Sequence, residues 1–344
     1  MDFETYKIEF ETKASILGYS QENIFKCLRY AEPLIEKKIP IIYNTSHLSA
    51  LVGYNKRFLK RAVIYTSYFY RDFEILKKNG TKRQISEPLP SLKEIQTWIL
   101  KNILEKVKVS AFAKAYKKKI TIIENVRLHQ NKKTVVNYDI VNFFPSITIK
   151  EIDKIFKSLG YSELISNLLA KLCSRNNALP QGAPTSPYLS NIFFHQIDDE
   201  IANYCLDRDI RYTRFADDLT FSGDFDVIEL DEFLRLTLSN FNLSVNEQKK
   251  KILNKNQRQI VTGVVVNEKL QVPFYKRNKL RQELFYIKKL GIESHKKNLN
   301  IKSKNYISHL LGRINFILHI NPTDIEFINY KKVLIDLKKT HPNL

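Results

Sequence analysis

Over the first seventy residues the apolar positions recur at helical spacing. Segments 20–38 and 46–66 each carry such a stripe, with Gly18 and Gly53 as breaks, so a helical region is expected over 1–70. The pattern then shifts to short strand-like runs. In "YRDFEILKKNGTKRQISEP" two of them flank Asn79-Gly80, the signal of a tight hairpin. "SLKEIQTWILKNILEKV" returns to helical spacing, with Leu92, Ile95, Ile99 and Ile103 on one face and Ser91 and Glu94 spaced as a capping box. "KTVVNYDIVNFFPS" is β-branched and aromatic until Pro145, which predicts a buried strand ending near Asp139.

Two helices are predicted over 149–159 and 161–173, followed by the turn-rich loop "ALPQGAPTSP". From Ser186 a single helical face runs through Leu189, Phe193, Ile197, Ile201 and Tyr204. "IRYTRFADDLTFSG" reads as strand, tight turn and strand, with Asp217 and Asp218 at the turn, and "QIVTGVVVNEKLQVP" as another hairpin. From Tyr275 onward the pattern is helical, broken at Gly291 and at Asn321-Pro322. The fold class is α+β: a central mixed domain with a helical appendage at each end.

Composition narrows the partners. The 344 residues are 43% hydrophobic and 27% charged, as in a soluble globular protein. The formal net charge is +20, concentrated as +8 in residues 101–133 and +10 in residues 273–344. Such a surplus suits a polyanion, because each phosphate contact releases condensed counterions. No apolar run is long enough for a membrane span, and the first residues lack a signal-peptide pattern, so no membrane partner is expected and the cytoplasm is the expected compartment. Three scattered cysteines, Cys27, Cys173 and Cys205, indicate neither a disulfide framework nor a zinc site. Neither a dinucleotide-binding fingerprint nor a P-loop is present.

Asp217-Asp218 admits two readings, a polar turn or a metal site. Strand residues crowd the pair on both sides, and a third carboxylate, Asp139, closes an apolar strand. Like charges in dry surroundings are costly unless a cation neutralises them. Oxygen ligands favour Mg²⁺ or Mn²⁺ over zinc. Two such ions about 3.5–4 Å apart activate a 3′-hydroxyl and stabilise leaving pyrophosphate. Three carboxylates on a basic chain therefore point to nucleotidyl transfer.

Three motifs in order carry a resemblance. "YDIVNFFPS", "LPQGAPTSPYLSN" and "FADDLTFSG" resemble the catalytic motifs of bacterial reverse transcriptases, the last with Phe215 where the family has tyrosine. "VTGVVVN" is similar to the V-T-G motif of retron reverse transcriptases, "NVRLH" to their N-A-x-x-H with Val126 for alanine, and "HLLGRINFILHINP" to their C-terminal region. The resemblance covers roughly residues 45–320. It implies a right-hand polymerase, with fingers and a palm built on an antiparallel sheet over 71–272 and a basic helical thumb over 273–344, after the N-terminal helical region 1–70.

The same resemblance implies roles. Asp139, Asp217 and Asp218, with the backbone of Ile140, would hold two Mg²⁺ ions. Phe144 would exclude the ribose 2′-hydroxyl, Gln181 would contact the nucleotide sugar, and Lys77 and Arg83 would grip the dNTP triphosphate, Lys78 being an alternative to Lys77. Lys249 would act as general acid toward pyrophosphate, with Lys250 and Lys251 as neighbouring registers. His129 has the alternative of a histidine satisfied within the fold, Phe144 that of core packing, and Thr262-Gly263 that of a strand bulge.

In function, the resemblance implies copying of a structured noncoding RNA of the msr-msd type into single-stranded DNA. Synthesis would be primed from a guanosine 2′-hydroxyl and would serve antiphage defence with a separate effector protein. Protein-primed or untemplated synthesis by another defence-associated enzyme, and a catalytically silent RNA-binding scaffold, are the alternatives. Within 273–344, Lys276, Arg277, Lys279 and Arg281 are expected to hold that RNA. Most of the interleaved rings, Phe274, Tyr275, Phe285, Tyr286, Tyr306 and Phe316, are expected to pack inward.

Overall fold

A computed structural model describes residues 2–77, 80–301 and 305–340; Lys78 and Asn79, and with them half of the expected Asn-Gly turn, lie outside the described residues. In chain order the elements are α1 (Phe3–Ile16), α2 (Gln21–Glu36), α3 (Thr45–Val52), α4 (Lys56–Ile64), β1 (Tyr70–Leu76), β2 (Lys82–Pro88), α5 (Pro90–Asn102), α6 (Ile122–Val126), β3 (Thr134–Asp139), α7 (Phe143–Ser146), α8 (Ile149–Ser158) and α9 (Glu163–Cys173). There follow α10 (Ser186–Phe193), α11 (His195–Leu206), β4 (Arg211–Phe215), β5 (Asp218–Gly223), α12 (Val227–Asn240), β6 (Lys251–Asn254), β7 (Ile260–Val261), β8 (Val264–Val265), α13 (Phe274–Leu290), α14 (Ile292–Asn298), α15 (Tyr306–Ile320) and α16 (Ile325–Thr340). The chain forms two compact units, Met1–Lys118 with Asp139–Tyr204 and Ile228–Gln248, and Lys119–Tyr138 with Cys205–Val227 and Lys249–Leu344.

The first unit is built on helices. Leu59, Ile95, Ile99, Phe156, Ile165 and Leu169 are fully buried in one apolar cluster. The antiparallel β1–β2 hairpin is fixed to it by buried Gln96, whose Nε2 donates to the Tyr70 hydroxyl and the Leu172 carbonyl, both at 2.8 Å. Arg175 reinforces the hairpin: its guanidinium forks onto Asp72, donates to Ser86 Oγ at 2.7 Å and lies over the Tyr70 ring.

Two local expectations change here. α5 begins at Pro90 with Leu89 as its uncapped N-terminal residue, so the Ser91–Glu94 capping box does not form. Proline is already set for the first helical position, which starts the helix ahead of Ser91, and Glu94 instead accepts from the Tyr54 hydroxyl. The helix expected from Ser186 to Tyr204 is two, α10 and α11, parted at Phe194. Leu189, Ile197 and Ile201 remain fully buried on either side of the break, which is why one apolar face runs through both.

The second unit carries a four-stranded sheet in the order β4-β5-β3-β6, with β3–β6 and β4–β5 antiparallel. Its helices α13, α15 and α16 close over Leu280, Leu310, Ile314, Phe327 and Leu334. Thr262 and Gly263 are the two turn residues of the β7–β8 hairpin, at φ 48° and 82°. Positive φ at both centres marks the type I′ turn, whose twist matches the flanking strands, so this is a turn rather than a bulge. His129 is fully buried, with Nδ1 2.7 Å from Ser222 Oγ and Nε2 2.7 Å from Thr213 Oγ1. Burial, with a smaller push from Lys132, lowers its pKa to about 3. It is a neutral histidine satisfied within the fold.

Candidate active site

Asp139 is the last residue of β3, after the buried Val135, Val136 and Tyr138. It is itself buried, and Asn246 contacts it twice: the Asn246 N–H donates to its carbonyl at 2.7 Å, and Asn246 Nδ2 to its Oδ1 at 3.3 Å. Ile140 faces Val245 in an antiparallel bridge closed by the bonds Asn246 N–H to Asp139 O and Val141 N–H to Ser244 O. Those bonds belong to the flanking residues, so the bridge leaves the Ile140 carbonyl unused. Asn142 then turns the chain at φ 47° into α7. There the half-buried Phe144 packs against Phe143 and Tyr116, at ring distances of 5.4 and 6.4 Å. Its ring is partly core and partly accessible.

The same unit joins the glutamine loop to the hairpin. The Gln181 carbonyl accepts from Ser86 N–H at 2.8 Å. Gly182, at φ 131°, packs so closely that a β-carbon would lie 2.8 Å from the Ser86 carbonyl oxygen. Ser86 belongs to β2, which also carries Arg83 opposite Ile75. Lys77 N–H bonds to the Thr81 carbonyl and continues that register, which puts Lys77 and Arg83 on one face of the ribbon. Lys82 and Arg71 pair with Glu74 and Glu87. Among the described residues Lys77 and Arg83 form no ion pair, and both are exposed.

In the second unit Phe215 pairs with Asp218, so the β4–β5 turn is Ala216–Asp217, one residue earlier than the expected Asp217-Asp218, and Asp218 already belongs to the strand. Ala216 has φ 61°, a left-handed conformation unfavourable for a residue with a β-carbon. The fully buried Arg214 donates from Nη1 to the Ala216 carbonyl at 3.2 Å and fixes that turn from within. Asp217 is half-buried and Asp218 exposed. β5 is the neighbour of β3, and Thr220 Oγ1 donates to Asn137 Oδ1 at 3.1 Å. That bond joins the residue two before Asp139 to the residue two after Asp218. Among the described residues no three acidic, histidine or cysteine side chains are grouped closely enough to hold a metal ion.

Of the three neighbouring lysines, Lys249 is exposed at the end of a short turn, the Lys250 amine lies 5.3 Å from the Tyr138 ring centre, and Lys251 pairs with Asn137 in β6.

Two expectations for the basic C-terminal segment need correcting. Arg277 is bound to Asp324 at 2.6 Å, and Arg281 grips Glu326 through two nitrogens, with both guanidinium groups near the Phe327 ring. These arginines hold α13 to α16 and are not open to phosphate. Lys276 and Lys279 instead line a cavity of about 430 Å³ with Tyr275, His309, Arg313 and Phe316. Of the six rings only Tyr306 is buried; Phe274, Tyr275, Phe285, Tyr286 and Phe316 are exposed.

The chain is similar to known proteins. The family described as "Reverse transcriptase (RNA-dependent DNA polymerase)" matches residues 75–284. The retron Ec86 reverse transcriptase of Escherichia coli is 33% identical over 289 residues, which span 82% of this chain and 86% of that protein. The retron Se72 reverse transcriptase of Salmonella heidelberg is 33% identical over 293 residues, 82% of this chain and 77% of the relative. Among solved structures, telomerase from Candida albicans in complex with a fragment of telomeric RNA aligns with a TM-score of 0.44 at 12% identity. That alignment covers 80% of this chain and 61% of the other.

Proposed function

Because the chain belongs to the reverse transcriptases, the RNA-directed DNA polymerases, and among them to the retron enzymes, we propose that it copies part of its own structured noncoding RNA into single-stranded DNA. Synthesis starts from a 2′-hydroxyl of that RNA, and the product acts in antiphage defence with a separate effector protein. The observation that carries the polymerase site is the Thr220–Asn137 bond, which ties the strand ending in Asp139 to the strand beginning with Asp218.

In this reading Asp139, Asp217, Asp218 and the Ile140 carbonyl hold two Mg²⁺ ions. The donor set fits: every donor is oxygen, and the Ile140 carbonyl is left unused by its bridge. When bound, such ions activate the attacking 3′-hydroxyl and neutralise charge on the leaving pyrophosphate. Lys77 and Arg83 grip the triphosphate, Gln181 orients the sugar, Phe144 bars a 2′-hydroxyl and Lys249 protonates the pyrophosphate. The palm and fingers span 71–272 and the thumb 273–344.

The test is primer extension on an RNA template in Mg²⁺ with dNTPs, alongside Asp217→Asn, followed by sequencing of the nucleic acid that copurifies. Templated extension lost in the variant, with a 2′–5′ branched RNA–DNA product from cells, is the expected result. Untemplated or protein-linked DNA would refute the retron reading. Extension by Asp217→Asn at the wild-type rate would refute the site.

A further inference from the structure

Between Glu36 and Asp72 the chain contains no acidic residue and seven cations. The two basic segments that dominate the net charge hide this third one. Lys37 and Arg71 are engaged, the first on the carbonyls of Ser158 and Leu159 and the second on Glu87. The four cations of α4 are not. Lys56, Arg57, Lys60 and Arg61 are all exposed, and none forms an ion pair or side-chain hydrogen bond among the described residues. On α1 and α2 the ordinary arrangement is present: Lys13 pairs with Glu9 and Lys26 with Glu22, one turn away.

The opposite side of α4 is fixed. Leu59 and Ala62 are buried, and Phe58 packs against Tyr54 and edge-on to Phe69. The outward side therefore cannot turn inward. Arg57, Arg61 and Tyr65 follow at four-residue intervals along it, and the short turn Thr66–Phe69 adds Tyr68. Tyr65 is 55% and Tyr68 78% exposed, and their rings meet edge to face at 6.5 Å. Exposed tyrosine rings beside cations that form no ion pair present both a stacking surface and a phosphate contact on one face.

We infer that the α4 face, Lys56, Arg57, Lys60 and Arg61 with Tyr65 and Tyr68, binds single-stranded nucleic acid outside the catalytic site. Cations that are already paired cannot release phosphate counterions; these can. Tyrosine rings offer a stacking platform that unpaired bases can use and a closed duplex cannot. The positive charge alone would equally suit an acidic-faced helix; the exposed rings decide for a strand with accessible bases. The inference rests on the polymerase reading solely for the origin of the strand, which is either uncopied RNA template or released DNA.

The test is equilibrium binding by fluorescence anisotropy with the full-length protein, which keeps it independent of polymerase activity. The probes are 20-nucleotide oligo(rU), oligo(dT) and a blunt duplex of equal length. Lys56→Gln/Arg57→Gln/Lys60→Gln/Arg61→Gln should weaken single-strand binding at least tenfold and lower its salt slope by about 3, four contacts at roughly 0.7 each. Tyr65→Ala/Tyr68→Ala should weaken it about five- to tenfold with the salt slope kept, because stacking carries no counterions. Duplex binding should stay within twofold for both. All six side chains are exposed, so an unchanged melting temperature is expected and checks the fold. A larger loss on oligo(rU) identifies template and a larger loss on oligo(dT) identifies product; either supports the inference. It is overturned if single-strand binding is unchanged in both variants, or if duplex binding falls equally. Loss of binding to anionic vesicles with single-strand affinity intact would likewise overturn it and make the face a membrane contact. A wild-type protein that never extends a primer would sink the polymerase reading while these binding results stand.

Discussion

Asn125 Nδ2 donates a 2.6 Å hydrogen bond to Thr262 Oγ1, across 137 residues of sequence. The bond joins "NVRLH" to "VTG", the two stretches that set the retron enzymes apart within the sequence pattern. Thr262 is β-branched and stands at φ 48°, a conformation that costs of order 1–3 kcal/mol and persists only when its surroundings impose it. Asn125 is fully buried and supplies that constraint. Asn125→Ala and Thr262→Val should each destabilise the protein by about 1–3 kcal/mol, the second because it strands the buried Asn125 amide and the first because it releases the strained Thr262 and empties a buried site. The double variant should cost clearly less than their sum, with a coupling of about 1–2 kcal/mol in urea unfolding. Thr262→Ser should behave like wild type. Additive losses would mean that the two motifs merely lie near each other. Val126, where the resemblance has alanine, is fully buried in the second unit's core, so that departure fills space and leaves the bond alone.

What the sequence discloses follows from how locally each feature is determined. The strand ending at Asp139 and the breaks at Gly291 and Asn321-Pro322 are written in β-branched runs and turn residues and are where the pattern puts them, and the aspartate hairpin is there with its turn one residue earlier, at Ala216–Asp217. Asn246, which contacts Asp139 from 107 residues away, acts through the tertiary fold and carries no local signal, and that Arg214 is buried beneath the aspartate turn, two residues from the carbonyl it binds, cannot be read from a charged residue in a strand. The pairing of Arg277 and Arg281 with Asp324 and Glu326 is equally silent, since the partners lie on another helix. The bare cations of α4 did leave a signal, the acid-free run from residue 37 to 71, which a whole-chain charge conceals.

Gly182→Ala should damage nucleotide use more than stability. The added β-carbon would meet the Ser86 carbonyl at 2.8 Å in a backbone conformation that alanine resists, so the bond from Ser86 to Gln181 must give way. A displacement of about 1 Å at a reacting group commonly costs about a hundredfold. Steady-state extension should show kcat/KM for dNTP down by roughly ten- to a hundredfold, with a fall in melting temperature of only a few degrees. Unchanged kcat/KM would separate the loop from nucleotide binding.

Phe144→Ala addresses sugar choice. The ring is half-buried between Phe143 and Tyr116, so its removal opens space without emptying the core. If the accessible part bars the 2′-hydroxyl, the ratio of dNTP to rNTP incorporation in single-nucleotide extension should drop by at least about tenfold, the worth of 1.4 kcal/mol. A constant ratio with a lowered melting temperature would return the residue to packing alone.

His129 should make the protein acid-sensitive. Its pKa is lowered to about 3 in the fold, below the ordinary 6.5, chiefly by burial. Between those values the unfolded chain takes up a proton that the folded one refuses, so stability is fully present above pH 6.5 and is lost as pH falls toward 3. The slope for one such group is at most about 1.4 kcal/mol per pH unit. His129→Gln should be less stable at pH 7.5, where two buried hydroxyls lose a partner of the right shape, yet decline less steeply from pH 6.5 to 4.5 in urea titrations. Parallel slopes would show that the carboxylates alone govern acid unfolding.

The C-terminal cations should divide into two classes. Arg277 and Asp324 are both almost inaccessible and 2.6 Å apart, so Arg277→Gln leaves a buried carboxylate without its counterion. Breaking such a pair costs about 3–5 kcal/mol, and the variant should melt well below wild type. Lys276 and Lys279 stand at the cavity beside Tyr275 and Phe316, with nothing comparable to lose. Lys276→Gln/Lys279→Gln should keep the melting temperature and weaken binding of the RNA that copurifies with the protein. The salt slope should fall by about 2, two phosphate contacts at roughly 0.9 each on helical RNA taken as like DNA. Initiation on that folded RNA should suffer more than extension of an annealed primer, because only initiation requires the RNA to be held in one register. Equal losses in both reactions would make these lysines a general clamp on the duplex. An Arg277→Gln protein that melts like wild type yet loses RNA would overturn the division itself, since it would mean the arginine faces the nucleic acid after all.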